Sequence, residues 1–156
     1  WRACTAVNLD ANFLCCRRAV PMMKAQSAGA IINISSTAGI YAYPLRSPYA
    51  AAKWAVVGLT ETLAMELGPA GIRTNVICPG SISNPRMDGV ITREAAARGL
   101  EEDEVRAAYT RQSALDRFIA PEEIADMAVF LASERARGVN GQTIAVDGFT
   151  QSLLID

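Results

Sequence analysis

Three polar residues have the types and the spacing needed to transfer a proton to a substrate oxygen. Tyr49 and Lys53 lie four residues apart, and Ser36 ends an apolar run thirteen residues before Tyr49. Residues i and i+4 share a helix face, so the Lys53 ammonium can lie beside the Tyr49 phenol. A nearby cation favours the phenolate, which makes the phenol usable as a general acid or base, and Ser36 can hydrogen-bond the same oxygen. Taken alone, such a pair is more often an aromatic beside a snorkelling lysine, so its interpretation depends on the rest of the chain.

The composition is that of an ordinary globular chain and excludes several classes of function. Of the 156 residues, 51% are hydrophobic and 20% are charged, and the formal net charge is −1. That length suffices for one hydrophobic core, and without a basic excess we expect no nucleic-acid partner. No apolar run reaches the roughly 18 residues of a membrane span, so we expect no membrane partner. The sequence contains no histidine, which removes Ser-His-Asp and Cys-His mechanisms.

The four cysteines show no metal-ligand spacing. Cys15 and Cys16 are adjacent, while Cys4 and Cys78 lie apart from them in the sequence. Adjacent residues do not share a helix face, so we interpret the cysteines as buried free thiols in a reducing compartment. The sequence therefore predicts a cytoplasmic protein without a metal site.

Hydrophobic periodicity alternates between helix and strand along the chain. It predicts helices over residues 3–25, 48–68 and 121–133, and strands over residues 30–35, 72–78 and 142–146. Residues 37–46 are predicted to be a loop, and residues 86–118 a helical segment broken at Gly89 and Gly99. This order implies an α/β fold with a parallel sheet and right-handed crossovers. No repeat or linker divides the chain, which predicts a single domain over residues 1–156.

Six motifs in order resemble the short-chain dehydrogenase/reductase family over almost the whole chain. The central two are Asn33-Ile34-Ser35-Ser36-Thr37-Ala38-Gly39 and Tyr49-x-x-x-Lys53. The others are Asn8-Leu9-x-x-Asn12-Phe13, residues 72–80, residues 121–125 with 130–133, and residues 141–148. The resemblance implies a partial Rossmann-like, doubly wound parallel sheet, made of the carboxyl-terminal strands and helices of a three-layer αβα domain.

The resemblance also implies an activity and four catalytic residues. Members of the family move a hydride between NAD or NADP and a secondary alcohol or ketone, so we expect an oxidoreductase with such a small-molecule substrate. Tyr49 would be the general acid/base. Lys53 would favour the phenolate, and both side chains would contact the nicotinamide ribose. Ser36 would orient the substrate oxygen, and Asn8 would anchor a water in a proton relay through Lys53, unless it is only a helix-kink or cap asparagine.

The same resemblance places the cofactor beside the turn that follows the strand 72–78. Pro79 and Gly80 would bring main chain close to the nicotinamide, and Ile82 would offer main-chain groups to its carboxamide. Asn84 stands where the family commonly has threonine or serine. That difference puts a hydroxyl contact to the cofactor phosphate in doubt, although an amide can still donate a hydrogen bond.

The largest departure from the family is the lack of a glycine-rich phosphate loop. Gly29, Gly39, Gly58 and Gly68 are scattered and form neither G-x-x-x-G-x-G nor G-x-G-x-x-G. By the family's layout, roughly the first 100 residues, which bind adenine and pyrophosphate, are absent. We therefore expect the carboxyl-terminal part of a longer dehydrogenase, with the strand 30–35 as an exposed apolar edge. The alternative is a non-catalytic fragment that acts only as a packing or assembly unit.

Assembly is predicted from two helices. The segments 3–25 and 48–68 resemble the pair that joins subunits in this family, which predicts a homo-oligomer, tetramer before dimer. The second helix carries more apolar residues than one sheet face needs: Trp54, Val57, Leu59, Leu63 and Leu67. The alternative is that all of these side chains pack inside one subunit.

Residues 85–118 are predicted to be a mobile substrate lid. They follow the Pro-Gly turn on the side of the sheet where open α/β folds bind ligands, and long irregular connections are often functional. Met87, Val90 and Ile91 would form the inner face of the lid, over Ser36 and Tyr49. The alternative is a static helical pair packed on the sheet.

Overall fold

The computed structural model describes residues 1–150, and residues 151–156 of the predicted domain lie outside this range. Three parallel strands pair in the order β1 (Gly29–Ile34), β2 (Ile72–Pro79) and β3 (Thr143–Val146). The helices are α1 (Arg2–Thr5), α2 (Ala11–Gln26), α3 (Ser47–Leu67), α4 (Pro85–Arg98), α5 (Glu102–Thr110) and α6 (Pro121–Ala132). The predicted strands, the predicted helices and the α/β class are confirmed.

The strand side chains alternate between two apolar layers. Ile31 and Val76 pack with residues of α2 and α3, whereas the next residues, Ile32 and Ile77, pack with residues of α6 on the opposite face. A parallel sheet covered on both faces needs nearly continuous apolar strands, and all of β2 except Arg73 is buried. Each buried Val or Ile side chain contributes about 1.5–3 kcal/mol, so the layered core fixes where the strands end.

The two crossovers of the sheet have opposite hands. Both connections step in the same direction, from β1 to β2 and from β2 to β3, yet α3 and α6 lie on opposite faces. The prediction of right-handed crossovers is therefore wrong for one of them. The physical reason is the long segment 80–120, in which α4 and α5 carry the chain to the other face before α6 begins.

The predicted helix 3–25 contains a wider turn. Ala6–Asp10 form a π-helical turn between α1 and α2. A π turn holds an extra residue, which changes the direction of the side chains that follow. Phe13 continues the apolar spacing in the sequence, but it is 46% exposed with Arg17 over its ring, whereas Cys16 is buried.

The segment 85–118 contains two continuous helices, α4 and α5, and residues 111–118 follow them as turns. α4 ends at Gly99, whose φ of +67° is the left-handed conformation common at helix ends. The predicted break at Gly89 is wrong, since Gly89 lies inside α4. The two helices pack on each other through four buried residues: Ile91, Ala95, Val105 and Tyr109.

The cysteines are free thiols among the described residues, but not all of them are buried. Cys16 and Cys78 are buried and Cys4 is partly buried, whereas Cys15 is exposed. The prediction of buried thiols is wrong for Cys15, because its neighbour Cys16 takes the core-facing position on α2. Between residues 1 and 150, no helix is long and apolar enough to cross a bilayer. The same residues contain no group of three or more Cys, Asp or Glu side chains placed to hold a metal ion.

Candidate active site

All eight residues predicted from the sequence to form the site line one cleft of about 550 Å³. The cleft lies at the carboxyl ends of β1 and β2, where ligands bind in open α/β sheets. The eight residues are Asn8, Ser36, Tyr49, Lys53, Pro79, Gly80, Ile82 and Asn84.

Tyr49 and Lys53 meet on one face of α3, at the wall of the cleft. The Lys53 Nζ lies over the Tyr49 ring, 5.6 Å from its centroid, and donates a 3.1 Å hydrogen bond to the main-chain oxygen of Ile34. Burial lowers the pKa of Lys53, Cys78 acts in the opposite direction, and the positive charge of Arg86 lowers the pKa further. The ammonium is therefore held between the end of β1 and the phenol.

A 3₁₀ turn after β1 presents Ser36 to the cleft. The Ser36 Oγ accepts a 3.1 Å hydrogen bond from the Ala38 N–H and caps the turn Thr37–Gly39. Because this contact uses the oxygen as an acceptor, the Ser36 O–H remains able to donate. The preceding hydroxyl, that of buried Ser35, instead donates a 2.8 Å hydrogen bond to the main-chain oxygen of Lys53.

Gly39 lets this turn approach α3. A Cβ at this position would collide with the Ser35 Oγ and would lie 2.8 Å from the main-chain oxygen of Lys53. The absence of a side chain therefore permits the Ser35–Lys53 hydrogen bond and the close approach to α3 of the turn that Ser36 caps.

Asn8 lies in the π-helical turn at another wall of the cleft. Its Nδ2 donates a 3.0 Å hydrogen bond to the main-chain oxygen of Cys4 and lies 3.6 Å from the Cys4 Sγ. Its own main-chain oxygen accepts a 3.1 Å hydrogen bond from the Asn12 Nδ2. Single π turns are frequent at functional sites, where they redirect polar groups.

The turn after β2 brings main chain to the cleft. A Cβ on Gly80 would lie 2.9 Å from the Asp147 Cα, so glycine allows this turn to pack against the end of β3. Ile82 forms a parallel bridge with Ile119, made by the polar groups of the residues on either side of Ile82. In such a bridge the N–H and C=O of Ile82 itself face away from Ile119.

Asn84 caps α4 with its side chain. Its Oδ1 accepts a 2.9 Å hydrogen bond from the Met87 N–H. This is a normal cap for a helix that begins with proline. The cap commits the amide oxygen and leaves the amide nitrogen as the donor that a ligand could use.

Sequence reasoning missed several residues that line the cleft. The most polar of these are Tyr43, Arg46, Arg86, Tyr109 and Gln112. They come from three segments that are brought together only by the packing of α4 and α5, and no local spacing relates them. The concentration of arginine in residues 86–98 was the one available signal.

The family follows from the sequence as a whole. The family described as Enoyl-(Acyl carrier protein) reductase matches residues 1–149, and the chain belongs to the short-chain dehydrogenase/reductase family. A D-beta-hydroxybutyrate dehydrogenase from Rhizobium meliloti (strain 1021) is 37% identical over 149 residues, covering 95% of this chain and 58% of that protein. A trans-4-hydroxycyclohexanecarboxylate dehydrogenase from Sinomonas cyclohexanicum is 42% identical over 148 residues, covering 95% of this chain and 51% of that protein. The chain thus spans little more than half the length of these curated relatives.

Two solved structures share the fold. Sorbitol-6-phosphate 2-dehydrogenase from Erwinia amylovora superposes with a TM-score of 0.89 at 31% identity, covering 94% of this chain and 58% of that one. A 3-oxoacyl-[acyl-carrier protein] reductase with bound NAD from Brucella melitensis gives a TM-score of 0.80 at 34% identity, covering 99% of this chain and 52% of that one. These likenesses confirm the Rossmann-like class of the sheet.

Replacing Gly39 tests the close contact behind Ser36. We expect Gly39→Ala to lower the free energy of unfolding by about 1–3 kcal/mol, the usual cost of overpacking, since the Ser35 hydroxyl and α3 must shift. Urea unfolding measures the change. Gly138→Ala is the matched control, because no atom lies within 4 Å of a Cβ at that position. Equal stability of the two variants would contradict the proposed contact.

Proposed function

We propose that the protein containing this chain is an NAD(P)-dependent oxidoreductase that interconverts a secondary alcohol and a ketone. The observation that carries the proposal is the Lys53 ammonium over the Tyr49 ring, in a cleft that Ser36 also lines. Two dehydrogenases and a reductase among the similar proteins support this reaction type. The solved structure with bound NAD supports the choice of a nicotinamide cofactor.

In the proposed mechanism, the Tyr49 Oη moves the proton. During ketone reduction it donates to the carbonyl oxygen, and during alcohol oxidation it accepts the hydroxyl proton. Lys53 favours the phenolate that forms, because its ammonium lies over the ring. Ser36 donates a hydrogen bond to the substrate oxygen, and Asn8 holds a water that connects Lys53 to solvent.

Tyr49 is the best of the three tyrosines that line the cleft. The Tyr109 hydroxyl donates a 2.8 Å hydrogen bond to Glu94, and burial together with this bond raises the pKa of Tyr109 well above its ordinary value. Such a group is a poor acid/base at neutral pH. The cation beside the Tyr43 ring is the Arg46 guanidinium, 5.9 Å from the ring centroid. The cation beside the Tyr49 ring is the Lys53 ammonium, 5.6 Å from the ring centroid.

The cleft fits the nicotinamide end of the proposed cofactor. When bound, the nicotinamide supplies or accepts the hydride. The outward-facing main-chain groups of Ile82 suit its carboxamide, Tyr49 and Lys53 suit its ribose hydroxyls, and the free amide nitrogen of Asn84 suits a phosphate oxygen. Pro79 ends β2, and Gly80 begins the turn that positions these main-chain groups.

The pyrophosphate end of the cofactor has no counterpart in the sequence of this chain. The chain holds no glycine-rich phosphate loop, and it covers 58% and 51% of two relatives. We propose that it is the carboxyl-terminal part of a longer single domain. The alternative of a non-catalytic packing unit applies to the isolated chain, so the activity assays require the complete protein.

Removing one hydroxyl tests the assignment of the acid/base. In the complete protein, Tyr49→Phe should lower kcat by about 10²–10⁴, because positioned proton transfer contributes that much. Tyr43→Phe is the matched control: it removes a hydroxyl from the same cleft and should change kcat by less than about threefold. Steady-state kinetics with NAD+ and NADP+ compare the variants. A Tyr49→Phe enzyme with wild-type turnover would refute the role.

We propose that residues 85–118 act as a lid. α4 and α5 pack on each other more than on the sheet, and the Ile82–Ile119 bridge joins the two chain segments that lead into and out of the pair. Met87 and Val90 line the cleft, whereas Ile91 is buried between the helices instead of facing the site.

Hydrogen exchange on the complete protein tests the lid. We expect fast exchange through residues 85–118 without ligand and clear protection when cofactor and substrate are bound, since a closing element is of low stability when open. Residues 72–79 provide the internal control, because this buried strand should exchange slowly in both states. Slow exchange of the helix pair in both states would indicate the static alternative.

We propose a homo-oligomer, tetramer before dimer, joined through α2 and α3. Of the apolar residues predicted on α3, Leu67 is buried inside the subunit and Leu63 packs beside it, but Trp54 is 51% exposed. Phe13 and Leu14 on α2 are also exposed, by 46% and 49%. Light scattering on the complete protein at micromolar concentration should give an oligomer, and Trp54→Glu should shift it toward the monomer. A monomeric wild-type protein would reject the proposal.

A further inference from the structure

A second groove, of about 370 Å³, adjoins the cleft. Its walls are Arg46, Arg86, Val90, Arg93 and Glu94. Arg46, Arg86 and Val90 also line the cleft, so the two spaces are continuous. A molecule whose reacting carbon lies against Tyr49 could therefore extend into the groove.

The groove is strongly positive. Within residues 1–150, none of the three arginines that line it has a carboxylate oxygen within 4 Å; the ion pairs there involve other arginines. Among the described residues Glu94 is the one acid in its wall, and each of its oxygens accepts a hydrogen bond. One accepts a 3.1 Å hydrogen bond from Arg98, and the other a 2.8 Å hydrogen bond from Tyr109. Glu94 thus links α4 to α5 through Tyr109, and in the described part of the chain it does not form an ion pair with the arginines of the groove.

We propose that this groove binds the anionic group, a carboxylate or a phosphate, of a substrate whose alcohol or ketone carbon lies against Tyr49. The inference rests on the proposed function and adds the class of substrate. Guanidinium groups present paired N–H donors that match the oxygens of carboxylates and phosphates. Arg46 directly precedes α3 and Arg86 lies on α4, so one anion could join the two segments.

The groove is also coupled to the catalytic lysine. Both side chains line the cleft. Burial is the main cause that lowers the pKa of Lys53, and the positive charge of Arg86 adds to it, so the two cations act on each other. An anion bound to Arg86 would offset this repulsion and favour the charged Lys53 that the proton transfer needs. A neutral substrate would provide no such compensation, which gives the site a physical basis for discrimination.

Calorimetry on the complete protein, with and without NAD+, tests the proposal through binding alone. The probes are 3-hydroxybutyrate against its methyl ester, and sorbitol 6-phosphate against sorbitol. We expect the anion of one pair to bind at least about tenfold more tightly than its neutral partner, and the pair that shows this identifies carboxylate or phosphate. Arg86→Gln should reduce that preference about tenfold. Arg135→Gln is the matched control, since Arg135 lies in the turn before β3, outside both cavities.

Three outcomes would overturn the proposal. The first is that neither pair shows a preference for the anion. The second is that Arg86→Gln and Arg135→Gln lose the anion preference equally. The third is that Arg86→Gln loses NADP+ affinity while its anion preference stays unchanged. The last would assign the groove to a cofactor phosphate. Failure of the proposed chemistry has a different signature, because the enzyme would show no turnover while the anion preference and its dependence on Arg86 remained.

Discussion

The buried hydroxyl of Ser35 donates a hydrogen bond to the main-chain oxygen of Lys53, and this contact joins the end of β1 to the helix that carries Tyr49. A second bond runs the other way, from the Lys53 Nζ to the main-chain oxygen of Ile34. The first bond depends on the close approach that Gly39 permits. Leaving a buried partner unsatisfied costs about 1–3 kcal/mol, so the geometry of the site is maintained by contacts that also stabilise the fold.

Buried amides extend this arrangement through the three layers. The Asn33 Nδ2 on β1 donates a 2.9 Å hydrogen bond to the Thr60 hydroxyl of α3. The Asn75 Nδ2 on β2 donates a 2.9 Å hydrogen bond to the main-chain oxygen of Val139, and its Oδ1 accepts one from the Gln142 N–H. Satisfied polar groups in an apolar core specify one arrangement of the layers, because any shift would leave them unpaired. The strand ends at the cleft are therefore fixed relative to α3.

The parts of the site that depend on local spacing were predictable from the sequence. Tyr49 and Lys53 share a helix face because they lie four residues apart, and Ser36 follows an apolar run of strand length. Contacts between distant segments were not predictable: Arg46 precedes α3 and Arg86 lies on α4, and they line the same cleft only because of how α4 packs. The π turn at residues 6–10 and the opposite hands of the crossovers were missed for a similar reason, since both depend on packing rather than on the spacing of apolar residues.

Among the described residues, one edge of β1 is unpaired, and it lies beside Lys53. Within residues 1–150, β1 pairs only with β2, and the main-chain oxygen of its last residue, Ile34, accepts a hydrogen bond from the Lys53 ammonium. A strand that pairs with the free edge of β1 would therefore contact the end of the strand whose Ile34 main-chain oxygen positions Lys53. A segment that paired with this edge would extend the sheet and move the Lys53 ammonium in the same event, because both contacts involve the end of one strand.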